Sequence, residues 1–365
     1  MKVLHVIARF NVGGTATYLY NLLDELENKG IETLLATGQV PSNEKEDLRV
    51  LKLRCFRVEK LSRAISPVND FIAFRKINSI IREFKPDIIH SHTFKAGLLI
   101  RLRKQSTPIV HTFHGHHLYD PEFGRTSSSI FNLVERILAK RTSKFITIGK
   151  RVGQDLFAQG IGNSSQFISI PPGIKKLELL EPELIKEKFS IDKCAFVVVW
   201  LGRFTQVKRP DLVVEIAKKL PNLFFVMAGD GELRERISFG APQNLRIVGV
   251  QSAAEMWSIA NLALLTSDSE GMPLSIIEAQ MSGVPVVATN VGSVSEIVED
   301  GVTGILSEVD GDQITSKIVE LLENRTKLEE MSKAAEARAG SLFTREAMVE
   351  KHLKVYQEVL GRVTK

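Results

Sequence analysis

The stretch from Leu262 to Thr289 constrains the chain most. Leu262–Leu265 is wholly apolar, with the length and composition of a strand buried on both faces. Polar residues Thr266 to Glu270 follow, then Gly271, Met272 and Pro273, and then a helical pattern from Leu274 to Met281. Ser282-Gly283 stops that helix, and Val284–Ala288 predicts the next strand. This strand–loop–helix–strand unit places its loop at the carboxyl edge of a parallel sheet, where open α/β folds bind ligands. Pro273 suits the first helical turn, because its missing N–H costs nothing there. The backbone donors of Leu274 and Ser275 would then face an anion at that edge. Glu270 precedes the helix, and Glu278 lies one turn beyond Leu274 on the same face. Both have bland readings, Glu270 as a charge favouring the helix N-terminus and Glu278 as a solvated surface residue.

The same rhythm runs through the rest. Strands are expected at Val3–Ala8, Ile31–Thr37, Val50–Val58, Ile88–His90, Pro108–Thr112, Phe145–Ile148 and Gln166–Ile170. Further ones are expected at Phe196–Leu201, Leu223–Ala228 and Leu245–Val248. Helical patterns cover Tyr18–Asn28, Asp70–Phe84, Lys95–Lys104, Asp211–Leu220 and Arg345–Leu360. Alternation throughout argues for α/β architecture with doubly wound parallel sheets. The 365 residues suffice for two domains. The acidic stretch from Glu178 to Lys188 lowers the apolar density, as a linker or peripheral helix would.

Hydrophobic content of 44% and charged content of 25% are those of a soluble globular protein. No apolar run approaches the ~20 residues that a membrane-spanning helix needs. Met1 leads directly into a strand pattern and not into a signal peptide, which predicts a cytoplasmic protein. Cys55 and Cys194 have no partner spacing, so neither a disulfide nor a metal framework is expected. The net charge of +5 hides an asymmetry, +11 through Lys175 and −6 beyond it. A basic amino half would steer an anionic acceptor or rest peripherally on an anionic membrane. Ordinary solvated helix faces explain it equally, and no nucleic-acid partner is expected.

Several loops carry candidate chemistry. Gly13-Gly14, between the first strand and helix, lets backbone N–H groups approach a ligand, though a turn needing positive φ explains it almost as well. It lacks G-x-G-x-x-G, so a nicotinamide fingerprint is not supported. Arg203 and Lys208, in G-R-F-T-Q-V-K after a strand, would grip a pyrophosphate, one by a fork of hydrogen bonds and one as a compact charge. Two surface cations are the plainer alternative. His90, His92, His111, His114, His116 and His117 invite a metal reading, but the Cys or carboxylate partners expected beside them are missing.

E-G-M-P-L-S-I-I-E, flanked by S-D-S and A-Q-M-S-G-V-P-V-V-A-T, resembles the E-x7-E signature of the retaining family 4 glycosyltransferases, also called glycosyl transferases group 1. The likeness extends to bacterial surface-polysaccharide enzymes. It implies a GT-B fold, two Rossmann-like domains facing a cleft. An acceptor domain would span 1–173, rejoined by the helix at 345–365, and a nucleotide-sugar donor domain would span 174–344. The family's boundary segment commonly has Asn and Asp where this chain has Pro172-Gly173-Ile174-Lys175.

The resemblance places roles residue by residue. T-F-H-G matches a turn whose histidine lies against the transferred sugar, here His114, while His90 and His92 suit buried structural roles. Arg203 and Lys208 match the diphosphate loop, and Gly13-Gly14 the loop near phosphates and acceptor. Glu270 would bond donor-sugar hydroxyls, and Glu278, on the face derived above, the ribose. Gly249-Val250 would hold the base by backbone contacts, with Gly271, Met272, Pro273, Leu274 and Ser275 completing the donor site. N-V-G-S-V-S-E-I-V resembles another family segment, with Ser293 where glycine is commoner.

The implied reaction is hexosyl transfer with retention, from a UDP-sugar or next a GDP-sugar, to a glycan or lipid-diphosphate-linked acceptor in polysaccharide biosynthesis. No cofactor is expected beyond the sugar-nucleotide substrate. Asp268-Ser269-Glu270 has a D-x-D look, but the nearby cations make Mg²⁺ redundant, so no metal is expected. A nucleotide-sugar 2-epimerase, a phosphorylase and a non-catalytic sugar-nucleotide binding protein are the alternatives on this fold.

Overall fold

A computed structural model describes residues 1–42, 44–115 and 125–363. The chain divides into two compact units, Met1–Ile174 with Arg345–Lys365, and Lys175–Thr344.

The first unit is built on a seven-stranded parallel sheet: β1 (Lys2–Ile7), β2 (Glu32–Thr37), β3 (Cys55–Arg57), β4 (Ile88–His92), β5 (Ile109–Phe113), β6 (Lys144–Thr147) and β7 (Phe167–Ser169). Their order is β3-β2-β1-β4-β5-β6-β7, with Leu4 paired to Leu34 on one side and Ile89 on the other. Helices α1 (Gly14–Asn28), α2 (Pro67–Phe84), α3 (Thr93–Arg101), α4 (Arg125–Ala139) and α5 (Lys150–Ala158) connect the strands. β1 and β4 are central, which is why Val3 to Ile7 and Ile88 to His92 are buried throughout, three histidines included.

One predicted strand is wrong in part. Val50–Val58 is strand only at Cys55–Arg57, because Leu48–Lys52 folds into a 3₁₀ turn. Asp47 caps that turn, its carboxylate accepting from the Arg49 backbone N–H at 3.1 Å. The cap outweighs the apolar run and turns Leu48 and Leu51 to solvent. Two predicted helices also begin earlier, α1 at Gly14 and α2 at Pro67, whose fixed φ suits a first turn.

α3 is tied to its neighbours by two ion pairs. Lys95 Nζ lies 2.5 Å from Asp70 Oδ2 of α2, and the fully buried Arg101 grips Glu135 of α4 through a fork of 2.8 and 2.9 Å. Such a buried pair costs about 3–5 kcal/mol when one partner alone is removed, since the other charge stays desolvated.

The second unit has six parallel strands: β8 (Val197–Leu201), β9 (Phe224–Ala228), β10 (Leu245–Gly249), β11 (Leu262–Leu265), β12 (Val286–Thr289) and β13 (Gly304–Ser307). Their order is β10-β9-β8-β11-β12-β13. The helices are α6 (Pro182–Lys188), α7 (Pro210–Lys219), α8 (Arg234–Phe239), α9 (Ala253–Ile259), α10 (Leu274–Met281), α11 (Val294–Ile297), α12 (Gly311–Glu323) and α13 (Arg325–Leu342). β11 and α10 fall where the spacing predicts, and each buried leucine of β11 contributes about 1.5–3 kcal/mol over exposure. The winding reverses between β8 and β11, so loops 202–209 and 266–273 leave the sheet together at its switch point.

α14 (Arg345–Val363) returns to the first unit and packs on α1. Arg345 pairs with Asp24, and His352 Nε2 shares a hydrogen bond with the Tyr18 hydroxyl at 3.0 Å. The Pro172-Gly173 segment is held from both sides: Asn21 Nδ2 donates to the Gly173 carbonyl at 3.0 Å, and the Gly173 N–H to Met348 Sδ at 3.1 Å. Among the described residues no helix is long and apolar enough to cross a membrane.

Candidate active site

Three loops interlock at the carboxyl edge of the second sheet. The Gly202 N–H donates to the Ala228 carbonyl, the Phe204 N–H to Asp230, and the Gly229 N–H to Gly249 at 2.7 Å. Gly229 has φ 138°, and a β-carbon there would lie 1.8 Å from the Gly202 carbonyl oxygen, so only glycine permits this approach. Gly249 ends β10 with φ 72°, and Val250 beyond it is 67% exposed.

Loop 202–209 is lashed to β11 by Thr266. Its hydroxyl accepts from Trp200 Nε1 at 3.1 Å and donates to the Lys208 carbonyl at 2.9 Å. The Asp268 N–H donates to the Val207 carbonyl at 2.8 Å. These bonds bring Lys208 Nζ to 2.5 Å from Glu270 Oε1, the two side chains being only 20% and 7% exposed. Ser267 Oγ donates to the same oxygen at 2.6 Å. Oε2 of Glu270 has no hydrogen-bond partner among the described residues. Arg203 is exposed, and its guanidinium has no ion-pair partner among them.

Thus Lys208 and Glu270, singled out separately in the sequence, form one pair. Three residues to which the sequence assigned no site role support it. Thr289 Oγ1 donates to the Ser267 carbonyl at 2.7 Å, and the Ser293 N–H to the Gly271 carbonyl at 3.2 Å. Gly292, at φ 55°, lies so close that a β-carbon would fall 1.7 Å from the Glu270 carbonyl oxygen. Its sequence signal was the glycine of the family-like segment N-V-G-S-V-S-E-I-V, which does not reveal this approach.

Pro273 is the N-cap of α10, one position earlier than expected. The Ile276 and Ile277 N–H groups reach the Pro273 carbonyl, which leaves those of Leu274 and Ser275 without backbone partners among the described residues. Met272 is buried, and Gly271 and Glu278 are half-buried. Arg209 was also missed: it holds φ 49° and pairs with Asp211 and, at 3.2 Å, Asp268.

In the first unit, exposed Gly13 and Gly14 start α1, and Gly13 has φ 154°. The Tyr18 ring of α1 stands edge-on to His114 with centroids 4.8 Å apart. His114 heads a chain of imidazoles: His114 Nε2 to His92 Nδ1 at 3.1 Å, then His92 Nε2 to His5 Nδ1 at 3.1 Å. His90 bonds Tyr356 at 2.6 Å and Thr112 at 2.7 Å. Burial holds these rings neutral, lowering His5 and His114 to about 3 and His352 to about 4, with His90 and His92 well below the usual histidine range. His5, His90 and His92 converge, yet five of their six ring nitrogens are already hydrogen-bonded, His5 Nε2 being the exception. His116 and His117 lie outside the described residues. Beside this cluster, at the ends of β1 and β4, is a cavity of about 1050 Å³ whose lining includes Arg9, Asn11, Thr15, Lys95, Ile65 and Phe131.

Residues 12–175 match the family model described as Glycosyltransferase Family 4, and residues 182–338 that of Glycosyl transferases group 1. The chain belongs to the family 4 glycosyltransferases. This transferase is 26% identical over 295 residues to the UDP-Gal:α-D-GlcNAc-diphosphoundecaprenol α-1,3-galactosyltransferase of Escherichia coli, which covers 75% of this chain and 76% of the relative. Its GT-B fold is shared with sucrose-phosphate synthase from Thermosynechococcus elongatus, at a TM-score of 0.85, 18% identity and 99% of both chains. Anabaena HepE, solved with UDP and glucose, matches with a TM-score of 0.83 and 18% identity over 98% of this chain and all of that one.

In this transferase Gly292→Ala is expected to lower the unfolding free energy by more than about 1 kcal/mol, since φ is positive and the Glu270 loop must move. Urea denaturation checks it, and an unchanged midpoint would mean that the loop yields freely.

Proposed function

We propose that the enzyme transfers a hexosyl group from a nucleotide diphosphate sugar to a lipid-diphosphate-linked glycan in cell-envelope polysaccharide synthesis, with retention and without a metal ion. UDP is the preferred base and GDP the next. The Escherichia coli relative is named for a UDP-linked donor and a diphosphoundecaprenol-linked acceptor, and HepE was solved with UDP. The observation that carries the reading is the Lys208–Glu270 pair at the switch point of the second sheet.

Breaking the sugar–phosphate bond builds negative charge on the diphosphate and positive character at the anomeric carbon. Lys208 has three donors; with one on Glu270, two remain for phosphate oxygens. Arg203 and the free N–H groups of Leu274 and Ser275 supply further donors on the same loops. Glu270, fixed by Lys208 and Ser267, offers Oε2 to sugar hydroxyls, Glu278 takes the ribose, and Gly249-Val250 takes the base. The family resemblance assigns His114, here neutral, to the transferred sugar and Gly13-Gly14 to the phosphates and acceptor. The acceptor hydroxyl attacks as the anomeric bond breaks, and its proton passes to the departing diphosphate. No protein nucleophile is needed. The carboxylates of Asp268 and Glu270 already face Arg209 and Lys208, so a cation between them would displace two others, which supports metal-free transfer. The enzyme would work in the cytoplasm, at the inner face of the membrane.

Saturation-transfer NMR with UDP, GDP, ADP and their sugars, with and without EDTA, tests the reading. Binding of one nucleotide series, insensitive to EDTA and lost in Lys208→Ala, is the expected result. Failure of every nucleotide to bind would overturn the donor site.

A further inference from the structure

Two helices of the first unit carry an exposed apolar stripe besides the apolar face that each buries, Ala73, Ile77, Ile80 and Phe84 on α2 and Leu138 and Ala139 on α4. α2 turns one of its two carboxylates, Asp70, inward to Lys95, and α4 turns Glu135 inward to Arg101, both cations belonging to α3. Asp70 is the sole carboxylate between positions 63 and 76, and Glu135 the sole one between 129 and 141. Solvent receives a second set of apolar residues. On α2 these are Val68 (72% exposed), Phe71 (59%) and Ile72 (46%); on α4 they are Ile130 (61%), Leu133 (58%) and Ile137 (55%). Each set follows helical spacing, so each forms a stripe. Exposed cations continue both stripes, Arg75 and Lys76 on α2, Arg136 on α4 and Lys140 just beyond it. Both begin at the rim of one cavity, since Ile65, just before α2, and Phe131 of α4 line it.

From this we infer that the exposed faces of α2 and α4 seat the first unit on an anionic bilayer, with the cavity opening at the lipid surface. Scattered apolar residues on a soluble face need no explanation, but aligned stripes edged with cations, with no exposed carboxylate over 63–76 or 129–141, do. A protein partner would accept the apolar stripe, yet the cationic edge and the +11 charge through Lys175 select a negative surface. An acceptor held by its lipid would enter the cavity from that rim, which rests on the proposed lipid-linked acceptor; the docking itself does not.

The test is co-sedimentation of the full chain with vesicles of equimolar phosphatidylglycerol and phosphatidylcholine, and with phosphatidylcholine alone. Binding is expected to the first and to fall at least ~10-fold in Leu133→Ser/Ile137→Ser, in Val68→Ser/Phe71→Ser and in Arg136→Gln/Lys140→Gln. Melting temperature and turnover of a water-soluble short-chain acceptor should stay as in the wild type, because these side chains leave the core and the donor loops untouched. Wild type that ignores both vesicles, or serine variants that bind like wild type, overturns the inference. So does a wild-type dimer that the serine variants dissolve, which would assign the stripes to a second copy of the chain. Vesicle binding needs no donor, and the soluble assay needs no vesicle, so failure of the docking face and failure of the transferase reading are separable.

Discussion

Lys208→Ala and Glu270→Ala are each expected to lower glycosyl transfer by more than ~100-fold, the scale of a lost transition-state stabiliser. The two losses have different origins. Lys208→Ala removes a cation from the departing diphosphate and also leaves Glu270, 7% exposed, with Ser267 as its one remaining donor. Glu270→Ala leaves the ammonium in place but frees it from the position that Glu270 imposes. Glu270→Gln keeps the shape and a hydrogen bond while removing the charge, so it separates positioning from electrostatics. Turnover of purified variants, with folding checked by circular dichroism, decides the matter. Near-native turnover in either alanine variant would remove that residue from the mechanism.

Acid is expected to unfold the first unit well before the second. All eight histidines lie in the first unit, at positions 5, 90, 92, 111, 114, 116, 117 and 352. Folding lowers His5 and His114 to about 3 and His352 to about 4, whereas the unfolded chain takes up these protons near pH 6.5. Between those values the unfolded state binds more protons, so stability is complete above pH 6.5 and is lost as the pH falls towards 4 and 3. At pH 5 His5 and His114 each cost about 2 kcal/mol. The chain supplies its own reporters: both tryptophans, Trp200 and Trp257, are in the second unit and all four tyrosines in the first. Urea titrations at pH 7.5 and 5 should show a tyrosine midpoint that falls and a tryptophan midpoint that stays nearly constant. Parallel shifts in both would place the acid sensitivity elsewhere.

The α/β rhythm was legible because parallel strands are buried on both faces and so appear as unbroken apolar runs. β11 and α10 were placed to the residue because polar Asn261 and Thr266 bracket the apolar run, and proline and glycine bracket the helix. β3 was misjudged because a polar cap, Asp47, decided against the apolar run beside it. The donor loops were recognised from glycines, cations and the family signature. That Lys208 and Glu270 meet was hidden, since 62 residues separate them and the pairing of β8 with β11, with the Thr266 and Asp268 bonds, joins their loops. Gly292, Ser267 and Thr289 escaped notice because their roles lie in backbone approach and local bonds that leave no pattern in a single sequence. The same holds for Arg101 and Glu135, ordinary helix charges by sequence and a buried pair in the fold.

The place of α14 has a consequence for synthesis. The second unit is one uninterrupted segment, complete when Thr344 leaves the ribosome. The first sheet is translated earlier, by Ser169, yet His90 and Tyr18 must wait for Tyr356 and His352 as partners. For the time taken to translate some 180 residues, the nascent first unit lacks the α14 partners of these polar groups. The later-made second unit is therefore the first to have all of its chain, and the earlier-made sheet waits for α14.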